Sequence, residues 1–333
     1  MLNKHKKLIY ALLFIGIITL ALFLRTWNLG KFGFWHDELY HVLAAKGIVE
    51  TGAPVIPPGY EYTRALGYTQ LVAGLFKLFG ISEGVARIPS IFFDLLLLII
   101  SFYIVYKLFD RHHALLYLFI MTISPMNVYL ARSCRMYTIF QLYYFLGAIT
   151  FFIGFEPSCV FCGERSKKKN GLDVIPKFRT FVSNWEEKYD VRFIFILLSL
   201  LFFIVSLKMH LLTANFIFVL VFYCVMQTLL LLKREGVHKA LRSKYGGMLF
   251  IMSLICVISG LIYRAKILSL ASVALGGLEW DKYVNYSIHT FRWVFTENYS
   301  LLFFLYPIAI WYLIKKQEKL GVFLLGSFAV LFV

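Results

Sequence analysis

Hydrophobic residues in this chain do not recur at helix or strand spacing within polar sequence; they fill whole runs. Such runs lie near residues 8–24, 88–106, 114–130, 138–154, 193–207, 211–232, 247–263, 300–314 and 320–333. A bilayer core takes about 20 apolar residues as helix and tolerates no open sheet edge, so the pattern predicts an all-α, polytopic transmembrane helix bundle. The first run follows Lys4, Lys6 and Lys7 and has no small-residue cleavage site, which predicts a retained span instead of a removed signal peptide. The last run, 320–333, is too short to cross and stops within an apolar pattern, so residues 1–333 read as one transmembrane domain that is incomplete at its C-terminus.

One further run, 65–80, is short and carries Lys77 and three glycines. Counting it as a span would reverse the side of every later loop, and charge decides the matter. With 65–80 lying along the surface, the loops on the side of the N-terminus hold 21 of the 34 Lys and Arg residues, and acidic residues divide 9 and 9. The positive-inside rule therefore favours an interfacial helix within a first outer loop, 25–80, and a cytoplasmic loop at 155–192. The expected location is the cell membrane, with a cytoplasmic N-terminus.

Composition agrees: 60% of residues are hydrophobic and 18% aromatic, more apolar surface than one soluble core hides. The net charge of +16 would suggest nucleic acid in a soluble protein. Here the charges cluster between apolar runs, where topology and anionic membrane lipids account for them, and no nucleic-acid partner is expected. Five cysteines, three of them (Cys134, Cys224, Cys256) in or beside apolar segments, indicate no disulfide framework.

Candidate chemistry gathers on the outer side. Trp35-His36-Asp37-Glu38-Leu39-Tyr40-His41 places two carboxylates, two imidazoles and two aromatics directly after the first span. Adjacent residues on a helix point about 100° apart, so Asp37 and Glu38 should do different work. The plain structural alternative for Asp37 is an N-cap. His36 and His41 are five apart, which excludes the zinc-protease pairing at four, whereas Asp37 and His41 share a face and can hold a divalent ion. Pro54, Pro57, Pro58 and Gly59 end the following helix near Thr51, and the polar, aromatic stretch from Gly59 to Arg64, with Tyr62, leads to the interfacial helix.

Asp94, inside the second span, needs a partner within the bundle. Arg132 and Arg135, three apart and so on one helix face, suit the oxygens of a phosphate, although snorkelling explains them equally well. Lys208 and His210 occupy a short outer turn and offer a second phosphate contact. Cys159 and Cys162 form half of a zinc knuckle without its other half. The loop 264–299, with Glu279-Trp280-Asp281, His289 and Arg292, matches no specific pattern.

The order of these parts resembles the C-type glycosyltransferase superfamily (GT-C), in its protein O-mannosyltransferase and lipid A aminoarabinose transferase branch. The resemblance covers about Arg25 to Tyr137: Arg25-Thr26-Trp27-Asn28-Leu29-Gly30, Trp35 to Glu38, a surface helix ending Lys77-Leu78-Phe79-Gly80, Arg87-Ile88-Pro89-Ser90, Ser124-Pro125, and Arg132 to Tyr137. It implies a polyprenyl-phosphate sugar donor, with Asp37 acting on the acceptor and Arg132 or Arg135 near the donor. Many relatives have Arg-Glu-x-Arg where this chain has Arg132-Ser133-Cys134-Arg135, so one acidic group is missing here.

These observations together lead to the expectation of an inverting glycosyltransferase acting on the outer face, with a hydroxyl on a lipid or protein as acceptor. Asp37 and Glu38 are the catalytic candidates. Arg132, Arg135, Lys208 and His210 are candidates for the donor phosphate; Trp35, His36, His41, Tyr62, Arg64 and Tyr137 are candidates for the sugar or acceptor. No cofactor is required, though a divalent metal can be accommodated. A cation pair at the phosphate and one base at the acceptor hydroxyl suffice for such a displacement, and general-base catalysis supplies roughly 10²- to 10⁴-fold. A transporter or flippase of a lipid-linked saccharide is the alternative, but it would be expected to show inverted repeats, and none is found.

Overall fold

The computed structural model describes residues 2–157, 191–262, 308–309, 311–315 and 318–329. The Cys159–Cys162 segment, the loop 264–299 and most of the run 300–314 lie outside the described residues. Two compact units divide the chain, Met1–Thr213 and Ala214–Val333.

The first unit runs through α1 (Leu2–Thr26), α2 (His36–Thr51), an antiparallel hairpin of β1 (Val55–Ile56) and β2 (Tyr60–Glu61), α3 (Leu66–Phe79), α4 (Glu83–Leu108), α5 (Arg111–Ile123), α6 (Pro125–Ala131), α7 (Tyr137–Phe155) and α8 (Phe193–Met209). In the second, α9 (Phe216–Glu235) packs against α10 (Val237–Arg242), α11 (Lys244–Ile262) and α12 (Glu318–Ala329). The expected all-α bundle is present, with a hairpin where the prolines end α2. Gly47 lets that hairpin lie on α2, since a Cβ there would collide with the Val55 carbonyl oxygen.

Among the described residues, Lys7–Thr26, Glu83–Leu108, Tyr137–Phe155 and Leu211–Glu235 are long and apolar enough to cross a membrane. Phe193–Met209 and Lys244–Ile258 are apolar but shorter. Exposed Leu8, Leu12 and Ile15 on α1 and Leu197, Leu201 and Ile204 on α8 fit lipid, not water. At 14 residues α3 is about 21 Å long, short of the roughly 30 Å hydrocarbon core. It packs on α2 and α4 through Tyr68, Val72 and Phe76.

The expected single span at 114–130 is instead two helices, α5 and α6, bent by 63° at Ser124-Pro125. Proline has no amide hydrogen, so it cannot donate to the carbonyl four residues back. That carbonyl, Met121 O, accepts from Asn127 Nδ2 at 3.3 Å, and Thr122 O accepts from Arg25 Nη1 at 3.2 Å. Backbone groups freed inside an apolar bundle need such partners, and the side chains that supply them stabilise the break.

Arg25 also meets the need that Asp94 created. It is fully buried, and its Nε donates to the Asp94 carboxylate, joining α1 to α4. Removing one member of a buried pair strands the other, at a cost of about 3–5 kcal/mol. Asp94→Leu should therefore lower thermal stability in detergent sharply, while the double variant Arg25→Met/Asp94→Leu should recover most of the loss in the same melt.

Candidate functional site

The site is built around Glu38. Trp35 is the N-cap of α2 and has no side-chain capping bond, so the cap is not Asp37. Glu38, three residues on, reaches back and accepts the Trp35 amide at 2.9 Å. The same carboxylate accepts from Arg87 Nε at 3.1 Å, from Arg87 Nη2 at 2.9 Å and from the Cys134 amide. The rest of the Arg87 guanidinium donates to the carbonyls of Leu29, Phe32 and Gly33, and the Phe34 ring lies beneath it. One ion pair thus ties the α1–α2 connection, α2, α4 and the turn 132–136 together.

Burial pushes the Glu38 carboxyl up, but the Arg87 bond, the two amides and the Arg87 charge outweigh it and hold the group below its ordinary value. At 3% exposure Glu38 offers no free oxygen to a substrate. Its oxygens are taken up by Arg87 and two backbone amides, and of the two adjacent acids expected to be catalytic one is buried and the other exposed.

The turn itself departs from expectation. Arg132 and Arg135 do not share a helix face, because α6 ends at Ala131 and α7 begins at Tyr137. The Cys134 amide bonds to Glu38 and is therefore lost to any helical carbonyl, which separates the two arginines. Arg132 Nη1 donates to the carbonyls of Leu24 and Trp27 at 2.9 and 2.8 Å, closing the C-terminal end of α1. Arg135 turns to the site: its Nη1 lies 3.3 Å from Asp37 Oδ2 and 2.8 Å from Asp37 O, and its Nη2 donates to the Tyr137 hydroxyl at 3.0 Å.

Asp37 is the exposed member of that pair, its side chain 71% accessible against 9% for Arg135. Rings from five segments pack on one another nearby. Tyr40 stacks on Tyr62 with centroids 5.5 Å apart, His36 packs on Tyr40, and the edge of His41 meets both Tyr62 and Tyr68. His210 packs on Tyr137 and Phe140. Trp35, at the rim, is exposed, as are Arg64 and Lys208.

The imidazoles report the local field. Burial, with the charges of Arg135 and Arg64 added, pushes His41 down to about 3, so it is neutral; its Nδ1 and Thr69 Oγ1 hydrogen bond at 2.9 Å. His210 is lowered by burial and by the same two arginines. Arg64 and Arg135 therefore act on one region together with Asp37, His41, Tyr62, His210 and Tyr137. Three buried polar atoms there, His41 Nε2, Arg135 Nε and Thr138 Oγ1, have no partner among the described residues.

Among the described residues no group of three or more His, Cys, Asp and Glu side chains is placed to hold a metal ion. The two groups considered for a divalent ion have other partners, Arg135 for Asp37 and Thr69 for His41. Sequence reasoning left Arg25 and Arg87 without partners. The signal lay in their pairing, since each buried acid of α2 and α4 required a cation from elsewhere in the bundle. No protein-family model matches this chain, and neither the curated proteins nor the solved structures contain a significant match.

Because the folded-state Glu38 carboxyl is held low, its contribution to stability is complete above the ordinary value of 4.5 and fades as pH falls through the lowered one. Resistance of the wild type to denaturation should weaken below that pH. Glu38→Gln should be destabilised already at pH 7, and the gap between the two proteins should narrow on acidification.

Proposed function

We propose that the chain is a membrane-embedded GT-C-type transferase that moves a sugar from a polyprenyl-phosphate donor to a hydroxyl on a lipid or protein. One observation carries this reading: an exposed carboxylate, Asp37, stands against a buried arginine within a ring of aromatics and further cations. Arg135, with Arg64 and His210, takes the donor phosphate; Tyr40, Tyr62 and His36 form the surface beside which sugar and acceptor meet.

The ligand-free contacts suggest an order of events. Arg135 is paired with Asp37 until a phosphate competes for its guanidinium, and charge-assisted bonds to phosphate oxygens suit that group. The carboxylate so released accepts the proton of the acceptor hydroxyl. The acceptor oxygen bonds to the anomeric carbon as the bond from that carbon to the phosphate oxygen breaks, and the electron pair leaves with the polyprenyl phosphate, whose charge the cations meet. A single displacement inverts the anomeric centre, unlike the double displacement of retaining enzymes with their paired carboxylates. Glu38 and Arg87 take no part in the proton transfer and hold the two partners in register.

The distribution of Lys and Arg supports a cytoplasmic N-terminus and a site on the outer face of the cell membrane. Impermeant labelling of cysteines placed at Asp37 and Lys208 in intact cells should succeed; protection of both positions would overturn this orientation.

Membranes holding the protein, given a radiolabelled polyprenyl-phosphate sugar, should pass label to a lipid or protein acceptor. Asp37→Asn should abolish transfer while leaving insertion and melting unchanged, and normal turnover by that variant would refute the assigned base. Label that crosses the bilayer still joined to its polyprenyl phosphate would instead identify a carrier.

A further inference from the structure

Beneath the exposed pair, a short polar chain crosses the core. Tyr68 of α3 is fully buried, and its hydroxyl lies 2.8 Å from Ser90 Oγ on α4. Ser90 Oγ in turn donates to the Arg135 carbonyl at 3.1 Å. A carbonyl can only accept, so the Ser90 proton points to Arg135, and Ser90 must take its own bond from the Tyr68 O–H. The direction of the whole chain is fixed by its last member. The Cys134 thiol lies against the same Tyr68 hydroxyl, and burial pushes that thiol up to about 12, so both groups stay protonated. Opposite this chain, Glu38 holds the Cys134 amide and Asp37 holds the Arg135 guanidinium. The turn is gripped from α2 on one side and from α3 through α4 on the other.

We propose that Tyr68 and Ser90 are positioning residues for Arg135, coupling the seat of the short helix α3 to the affinity of the site for a phosphate. The role rests on Arg135 being the phosphate ligand assigned above, whereas the mechanical grip stands without it. Seating of α3 sets where the Tyr68 hydroxyl lies, that hydroxyl fixes Ser90, and Ser90 fixes the carbonyl of the residue whose guanidinium faces Asp37. Tyr68→Phe removes one oxygen and leaves the ring in place, so it tests the chain with little disturbance to packing.

Hydrogen exchange of the full chain in detergent, read over residues 132–137, tests the grip without any ligand. Tyr68→Phe and Ser90→Ala should each speed exchange there about five- to tenfold, the range expected for one lost buried hydrogen bond. The double variant should be no faster than Ser90→Ala, since both changes break one chain. Leu98→Ala, a buried change elsewhere on α4, should lower the melting temperature and leave this exchange alone. Unchanged exchange in the single variants, or fully additive effects, would overturn the grip.

Binding of farnesyl phosphate then separates the two levels. Arg135→Gln should abolish it, and Tyr68→Phe should weaken it about five- to tenfold while Leu98→Ala does not. If Arg135→Gln weakens binding and Tyr68→Phe does not, the positioning role is wrong. If farnesyl phosphate fails to bind the wild type, or binds Arg135→Gln as it binds the wild type, the functional assignment of Arg135 falls and the positioning role falls with it. Faster exchange in that case preserves only the grip.

Discussion

A buried carboxylate is stable only where its charge is met, and Glu38 is met on every side. Arg87 supplies a two-pronged contact, and two backbone amides complete the set. Each partner comes from a different stretch of chain, so satisfying one ion also fixes the mutual placement of those stretches. The exposed chemistry is a by-product of this packing. Because Glu38 is pinned inward, its neighbour Asp37 must point outward; because the Cys134 amide is withdrawn from helix formation, Arg135 is free to face Asp37.

A division of labour among the arginines follows. Arg25 and Arg87 neutralise buried acids, Arg132 satisfies carbonyls at the end of α1, and Arg135 and Arg64 remain near the opening. Guanidinium suits all three tasks because it stays charged under burial and presents a fork of donors. The net effect is a core whose acids are paired and a rim that keeps cations, where two imidazoles are lowered by burial first and by the nearby arginines second.

Much of this was legible in the chain. Long apolar runs gave the helices α1, α4 and α7, and the distribution of Lys and Arg argued that the short run 65–80 is no span. Asp37, Arg135, Tyr62, Arg64, Tyr137 and His210 were marked by residue type and by lying between apolar runs, and the structure brings them together. What sequence spacing misses is contact across distance. Helix-face logic put Arg132 and Arg135 side by side, but the chain is not helical between Ala131 and Tyr137, where the Cys134 amide bonds to Glu38 instead. Glu38 carried the same local signal as Asp37, and only its burial distinguishes a tether from an exposed acid. Arg87 paired with a residue 49 positions away, which no periodicity reveals.

The bend at Ser124-Pro125 has a geometric corollary. A straight helix delivers whatever follows it at a depth fixed by its length, so adding or removing one residue rotates and shifts the next segment together. Here the seven-residue α6 leaves α5 at 63°, and the arrival point of the arginine turn is governed by an angle. The hinge acts as a carpenter's mitre, turning the third hydrophobic stretch so that Arg132 and Arg135 meet the end of the first helix and the start of the second.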